Sequence, residues 1–169
     1  MPQRLLSNVR NHRQSAWHEN DAKIKRLAGK IDRVLVDAPC SGLGTLRRNP
    51  DVKWRQTPEA LVELNAKQIA ILSGAARLVK PGGRLVYATC SLLDEENEEI
   101  VSQFIAAHQD FVLVQMKAVL AEQKIELEMQ DYLKLIPHVH HTDGFFAAVL
   151  ERKKWHQLPW TVSGLIFQT

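Results

Sequence analysis

Arg33-Val34-Leu35-Val36-Asp37-Ala38-Pro39-Cys40-Ser41-Gly42 is the stretch on which the fold turns. A short β-branched run ends in an acid, which predicts a buried, parallel strand. Directly after it the chain becomes rich in Gly, Pro, Ser and Arg from Ala38 to Gln56. A loop of that length inside a compact domain is usually a functional one.

Downstream, Thr57-Pro58-Glu59 starts a helix, with a capping hydroxyl, a proline at the first helical position and an acid in the first turn. Leu61, Leu64, Ile69, Leu72, Ala76 and Val79 carry helical spacing to about Val79. Lys80-Pro81-Gly82-Gly83 has the composition of a helix stop. Arg84 to Thr89 is then a second strand, with Cys90-Ser91 at its carboxyl end. An acidic helix from Asp94 to His108 follows, its acids at the positive end, where they suit the helix dipole. Phe111 to Met116 and Gly144 to Glu151 read as strands.

Strand, helix, strand, helix, strand is the alternation of a mostly parallel α/β sheet. Ligands of such sheets bind at the carboxyl ends of the strands. Cys40 lies three residues past one such end and Cys90 at another. If the two strands are neighbours, both sulfurs face one crevice.

The chain has 169 residues, 45% of them hydrophobic, which suits one domain with a real core. Two cysteines make no disulfide framework, so a reducing, cytoplasmic setting is the default. No membrane span or secretory leader is expected. The net charge of +3 is uneven: residues 1–60 hold 12 Lys/Arg against 6 Asp/Glu, residues 61–169 hold 10 against 13. The basic first third suits a polyanion such as RNA, or simply a solvated surface.

The constellation permits a definite chemistry. A cysteine thiolate attacks carbon 6 of a pyrimidine, which makes carbon 5 nucleophilic enough to accept a methyl group from a sulfonium donor. The proton on carbon 5 must then leave and the enzyme must be released, a step that a second cysteine can assist. A carboxylate such as Asp37 accepts from the exocyclic amine of cytosine and has nothing to donate to uracil. Against this stands the plain reading of Cys40 and Cys90 as small buried residues. His138, His140 and His141 lack the usual closed ligand set, so no metal is expected. Arg47, Arg48, Lys53 and Arg55, with Trp54 among them, read as a nucleic-acid contact or a solvated face.

Five ordered stretches carry a resemblance. They are Asp37 to Gly44, Arg47-Arg48-Asn49-Pro50-Asp51-Val52-Lys53-Trp54, Tyr87-Ala88-Thr89-Cys90-Ser91, Glu95-Glu96-Asn97-Glu98 and Thr142-Asp143-Gly144-Phe145-Phe146. Together they resemble the Nop/Sun family of RNA 5-methylcytosine methyltransferases, and within it the bacterial Fmu/Sun type that acts on small-subunit ribosomal RNA. The resemblance implies S-adenosylmethionine as methyl donor, Cys90 as nucleophile and Cys40 as the residue that helps release product. It puts Asp37 between cofactor and cytosine, and Pro39, Arg47, Arg48 and Lys53 beside the target nucleotide or its phosphates. Ser91, Asn97 and the turn at Asp143–Phe146 would support the shape of the site.

The implied fold is a partial Rossmann-like class I methyltransferase: a mostly parallel sheet with an antiparallel last strand, lacking the first strands. Residues 1–30 would be a residual helix and linker, with Leu5, Leu6 and Val9 as its stripe. Residues 31–152 would be the carboxyl-terminal half of the catalytic domain, and 153–169, with Trp155 and Trp160, a tail without an assigned role. The glycine-rich cofactor turn of the family is not found ahead of Asp37, where Gly29 is the single glycine. Pro81-Gly82-Gly83 precedes a strand, whereas a cofactor turn follows one. Weak cofactor binding, weak methyl transfer by the chain alone, and self-association or a partner over the open sheet are therefore expected. The competing readings are an RNA- or partner-binding remnant, a DNA cytosine methyltransferase that attacks through the Pro-Cys sulfur and leaves Cys90 idle, and an amino-group methyltransferase, which would want an aromatic Pro-Pro motif at Pro39-Cys40.

Overall fold

The computed structural model describes residues 22–154. Leu5, Leu6, Val9, Trp155 and Trp160 lie outside them. A one-turn helix α1 (Ala22–Lys25) leads into β1 (Ile31–Asp37). After the Cys40 loop come α2 (Pro58–Ala76), β2 (Val79–Thr89), α3 (Glu98–Ala107), β3 (Phe111–Val114), α4 (Met116–Glu122), β4 (Leu133–Leu135), α5 (Pro137–His140) and β5 (Phe145–Arg152).

The sheet runs in the order β1-β2-β5-β3, and β4 pairs with β5 beyond β3. β1 and β2 are parallel. β5 is antiparallel to β2, β3 and β4. Four strands therefore point one way and the last strand the other, as the sequence predicts.

Alternation along the strands splits the apolar residues between two faces. On one face Val36, Leu85, Tyr87, Phe146, Ala148 and Leu150 pack with Leu72, Ala75 and Ala76 of α2 and Ile100, Val101 and Phe104 of α3. On the other, Val149 packs with Met116 and Leu120 of α4 and with Met129. Thr57 caps α2 as expected, its hydroxyl accepting from the Ala60 amide at 3.2 Å.

Several expectations are corrected. β1 is not buried on both faces: Val36 enters the core from one face, while Leu35 on the other is 64% exposed in what is an edge strand among the described residues. α2 stops at Ala76 and Val79 already belongs to β2. The reason is non-local, since the Arg77 and Leu78 carbonyls accept from Gly29, Lys30 and Ile31 at the start of β1. Lys80-Pro81-Gly82-Gly83 is a bulge inside β2: Ile31 pairs with Val79, yet Arg33 pairs with Arg84. Gly82 sits at φ +77°, and a Cβ on Gly83 would lie 2.9 Å from the Lys80 carbonyl oxygen and 3.0 Å from that of Asp32. Both positions demand glycine.

The acidic helix is also divided. Asp94–Glu96 forms a 3₁₀ turn, and Asn97, at φ −115° and ψ −95°, breaks it from α3. β3 ends at Val114, and Met116 opens α4 instead, where it is buried. The elements α4, β4 and α5, of 7, 3 and 4 residues, are too short for a periodicity to be read from sequence.

Burial separates two substitutions on the sheet. Phe146, fully buried against Tyr87 and Tyr132, should cost about 3–5 kcal/mol on change to alanine. Leu35→Ala should stay within about 0.5 kcal/mol. Urea unfolding followed by circular dichroism measures both.

Candidate active site

β1 and β2 are in parallel register up to Asp37 opposite Ala88. The ladder goes one step further, the Ala38 amide donating to the Ala88 carbonyl at 2.9 Å. Both chains therefore leave the sheet at the same end and side by side. Cys40 and Cys90 follow at once, with their sulfurs 3.3 Å apart. Both are half-buried free thiols. Burial, and then the hydrogen bond and charge interaction with Cys90, push the Cys40 thiol up to about 12. At neutral pH Cys40 is therefore a thiol, with an S–H available to Cys90.

The two cysteine segments are tied together behind the sulfurs. Glu96 is fully buried. Its Oε1 accepts from the Ser41 amide at 2.8 Å and from Gln68 Nε2 at 3.0 Å. Its Oε2 accepts from the Ser41 hydroxyl at 2.5 Å and from the Ser91 hydroxyl. Gln68 also donates to the Pro39 carbonyl at 2.9 Å. The Tyr87 hydroxyl donates to the Glu96 carbonyl at 2.7 Å. Burial, then the charge of Glu96, raises the Tyr87 phenol far above its ordinary value, so it stays a donor. Thr89 donates to Asn97 Oδ1 at 2.6 Å, and Asn97 Nδ2 donates to the Ser91 carbonyl at 3.1 Å.

A second brace is made of backbone alone. The Gly44 amide donates to the Cys90 carbonyl at 2.8 Å, and the Gly144 amide donates to the Gly44 carbonyl at 2.8 Å. A Cβ on Gly44 would lie 2.4 Å from the Gly144 oxygen and 2.7 Å from the Cys90 oxygen. The turn at Asp143-Gly144 thus locks the Cys40 loop onto the Cys90 loop. Arg48 reaches Asp143 at 3.0 Å, but its side chain is 70% exposed, so the pair adds little.

The remaining predicted residues lie around this centre. Asp37 and Pro39 are exposed at the carboxyl end of β1. Arg47, Arg48 and Lys53 are exposed on the outer part of the Cys40 loop. Lys53 Nζ lies 4.7 Å above the ring of Trp54, which is itself 78% exposed. Among the histidines, His140 accepts the Ile136 amide at 2.9 Å within its own turn. No group of three or more His, Cys, Asp or Glu that could hold a metal occurs among the described residues. None of their helices is long and apolar enough to cross a membrane.

Sequence reading quoted Glu96 within Glu95-Glu96-Asn97-Glu98 but gave it no role, and missed Gln68. Glu96 hides in an acidic run that suits a helix dipole. Gln68 did carry a signal: it stands four residues from both Leu64 and Leu72, on the apolar stripe of α2.

Comparison with known proteins shows the family. Residues 3–151 match the family described as 16S rRNA methyltransferase RsmB/F. The chain belongs to this family. A Synechocystis protein named probable ribosomal RNA small subunit methyltransferase B is 44% identical over 122 residues, which is 72% of this chain and 27% of that protein. A Bacillus subtilis protein of the same name is 41% identical over 73% of this chain and 28% of its own length. The crystal structure of NSun6 from Pyrococcus horikoshii with SFG superposes at a TM-score of 0.62 and 30% identity, covering 78% of this chain and 33% of that one. The chain thus spans little more than a quarter of the length of these curated relatives.

Two outcomes follow from the site. Gly44→Ala should destabilise by about 1–3 kcal/mol in chemical denaturation, because both obstructing atoms are backbone. The raised Cys40 thiol contributes stability that is complete below pH 9, the unfolded value, and is lost as pH climbs toward about 12. Cys40→Ser should flatten that part of the plot of urea midpoint against pH.

Proposed function

We propose that residues 31–152 form the base-handling half of an S-adenosylmethionine-dependent ribosomal RNA cytosine-C5 methyltransferase. The observation that carries this is the meeting of Cys40 and Cys90 at 3.3 Å on the carboxyl ends of two parallel strands. Membership of the 16S rRNA methyltransferase family supports the reaction class and the methyl donor.

Cys90 is the nucleophile. Its thiolate forms a bond to carbon 6 of the cytosine, and electron density moves to carbon 5. S-adenosylmethionine, when bound, supplies the methyl group there. The carbon 5 proton passes to the Cys40 sulfur as that sulfur hands its own proton on, which restores the ring double bond and expels the Cys90 sulfur. Cys40, kept neutral by burial, gives its S–H to the departing sulfur and so assists release. Asp37 holds the exocyclic amine side of the base and faces the donor. Pro39 lines the base, and Arg47, Arg48 and Lys53 meet the RNA phosphates.

A donor site would use the carboxyl end of β1 and a glycine turn between a strand and a helix. Asp37 stands at the right strand end, but Gly82 and Gly83 lie inside the β2 bulge and not on a strand-to-helix turn. This observation, together with the place of β1 at the edge of the sheet among the described residues, favours a second reading: an RNA- or partner-binding module, self-association included, that transfers no methyl group unaided. A free thiol pair and a ribosomal RNA substrate both suit the cytoplasm.

Trapping with 5-fluorocytidine RNA and S-adenosylmethionine tests the assignment. The unmodified chain should form a covalent adduct, Cys90→Ala none, and Cys40→Ala an adduct that accumulates. An adduct that survives Cys90→Ala would refute the nucleophile. Absence of any adduct from the unmodified chain would select the second reading.

A further inference from the structure

The two cysteine segments share a local pattern, Cys40-Ser41-Gly42-Leu43 and Cys90-Ser91-Leu92-Leu93. In each, the serine oxygen accepts the amide two residues on, Leu43 at 3.5 Å and Leu93 at 3.1 Å. In each, the same hydroxyl then donates to Oε2 of Glu96. One carboxylate oxygen is therefore the meeting point of two segments 50 residues apart in sequence. The other oxygen takes the Ser41 amide and Gln68, which also holds the Pro39 carbonyl on the far side of Cys40.

An ionised carboxylate accepts at about four sites and donates at none. Here four donors converge on it, so both hydroxyl rotors are fixed pointing inward. With its serine turned to the buried side, each cysteine is presented on the opposite side of its segment, toward the crevice. Neither sulfur touches Glu96.

We propose that Glu96 is the positioning residue of the cysteine pair, setting the Cys40–Cys90 separation by clamping Ser41 and Ser91 to one carboxylate. Calling the pair catalytic rests on the function proposed above; the positioning itself does not.

The test reads the separation directly. Diamide, an azo oxidant, takes one hydrogen from each thiol, forms the S–S bond and is itself reduced to the hydrazine. The rate is followed on the full chain as loss of both iodoacetamide-reactive thiols by intact mass. In Glu96→Gln one acceptor oxygen becomes a donor amide that opposes the donors facing it, so oxidation should slow on the order of tenfold to a hundredfold. Alkylation of each single thiol should stay unchanged. Ser91→Ala, which removes one arm, should give an intermediate rate and decides the matter if Glu96→Gln does not fold. Phe104→Ala loosens the core at the far end of α3 and should keep the unmodified oxidation rate.

Unmodified rates in both Glu96→Gln and Ser91→Ala would overturn the proposal. So would an equal slowing in Phe104→Ala, or a fall in single-thiol alkylation as large as the fall in oxidation. Failure of 5-fluorocytidine trapping in the unmodified chain would sink the methyltransferase reading and leave this result standing.

Discussion

The parallel, in-register pairing of β1 with β2 is the constraint on which the rest depends. A parallel pair releases both of its chains at the same end of the sheet. An antiparallel pair would have sent the Cys40 loop and the Cys90 loop to opposite ends, many ångströms apart. With β5 antiparallel on the other side of β2, the turn before β5 arrives at that same end. Three separate stretches of chain therefore converge there, and Gly44 and Gly144 lack side chains because the backbones meet.

Convergence alone does not hold loops in place. The interactions available differ greatly in worth. Arg48–Asp143 and Lys134–Asp94 each keep one partner largely in solvent, and such pairs are good for about 0–1 kcal/mol. Glu96 is fully buried, and each hydrogen bond to a buried charged group is worth about 1.5–3 kcal/mol. A buried carboxylate is tolerable only when its lone pairs are met, and here the donors that meet it belong to the loops themselves. The cost of burying the charge thus becomes a penalty against any other arrangement of those loops.

What could be read from sequence divides along the same line. The Thr57-Pro58 start of α2 was legible because a cap is made by residues three apart. The sheet order of a strand, a helix and a second strand was legible from periodicity. Lys80-Pro81-Gly82-Gly83 was misread because a helix stop and a bulge ask for the same residues. What separates them is the pairing of Leu78 with Ile31, some 47 residues away. Leu35 looked buried because composition does not reveal which strand is at an edge. Glu96 was illegible for the same reason, since its donors come from Ser41, Gln68 and Ser91. Gln68 was the accessible clue: a polar side chain on an apolar helical stripe needs a partner.

Two cysteines of the same chemistry would be interchangeable if their surroundings were alike, and they are not. Cys90 is the first residue past β2, whereas Cys40 comes three residues after β1 on a loop held by Gln68 from behind. Two thiolates 3.3 Å apart would repel strongly, so the pair carries at most one negative charge near neutral pH. Burial assigns the proton to Cys40. A shared proton between unlike sites gives the pair a direction, and the proposed methyl transfer uses it: the sulfur without the proton would attack, and the other would hold the proton that a departing sulfur needs. In that proposal the asymmetry of the two loops, and not any difference between the side chains, is what would separate attack from release.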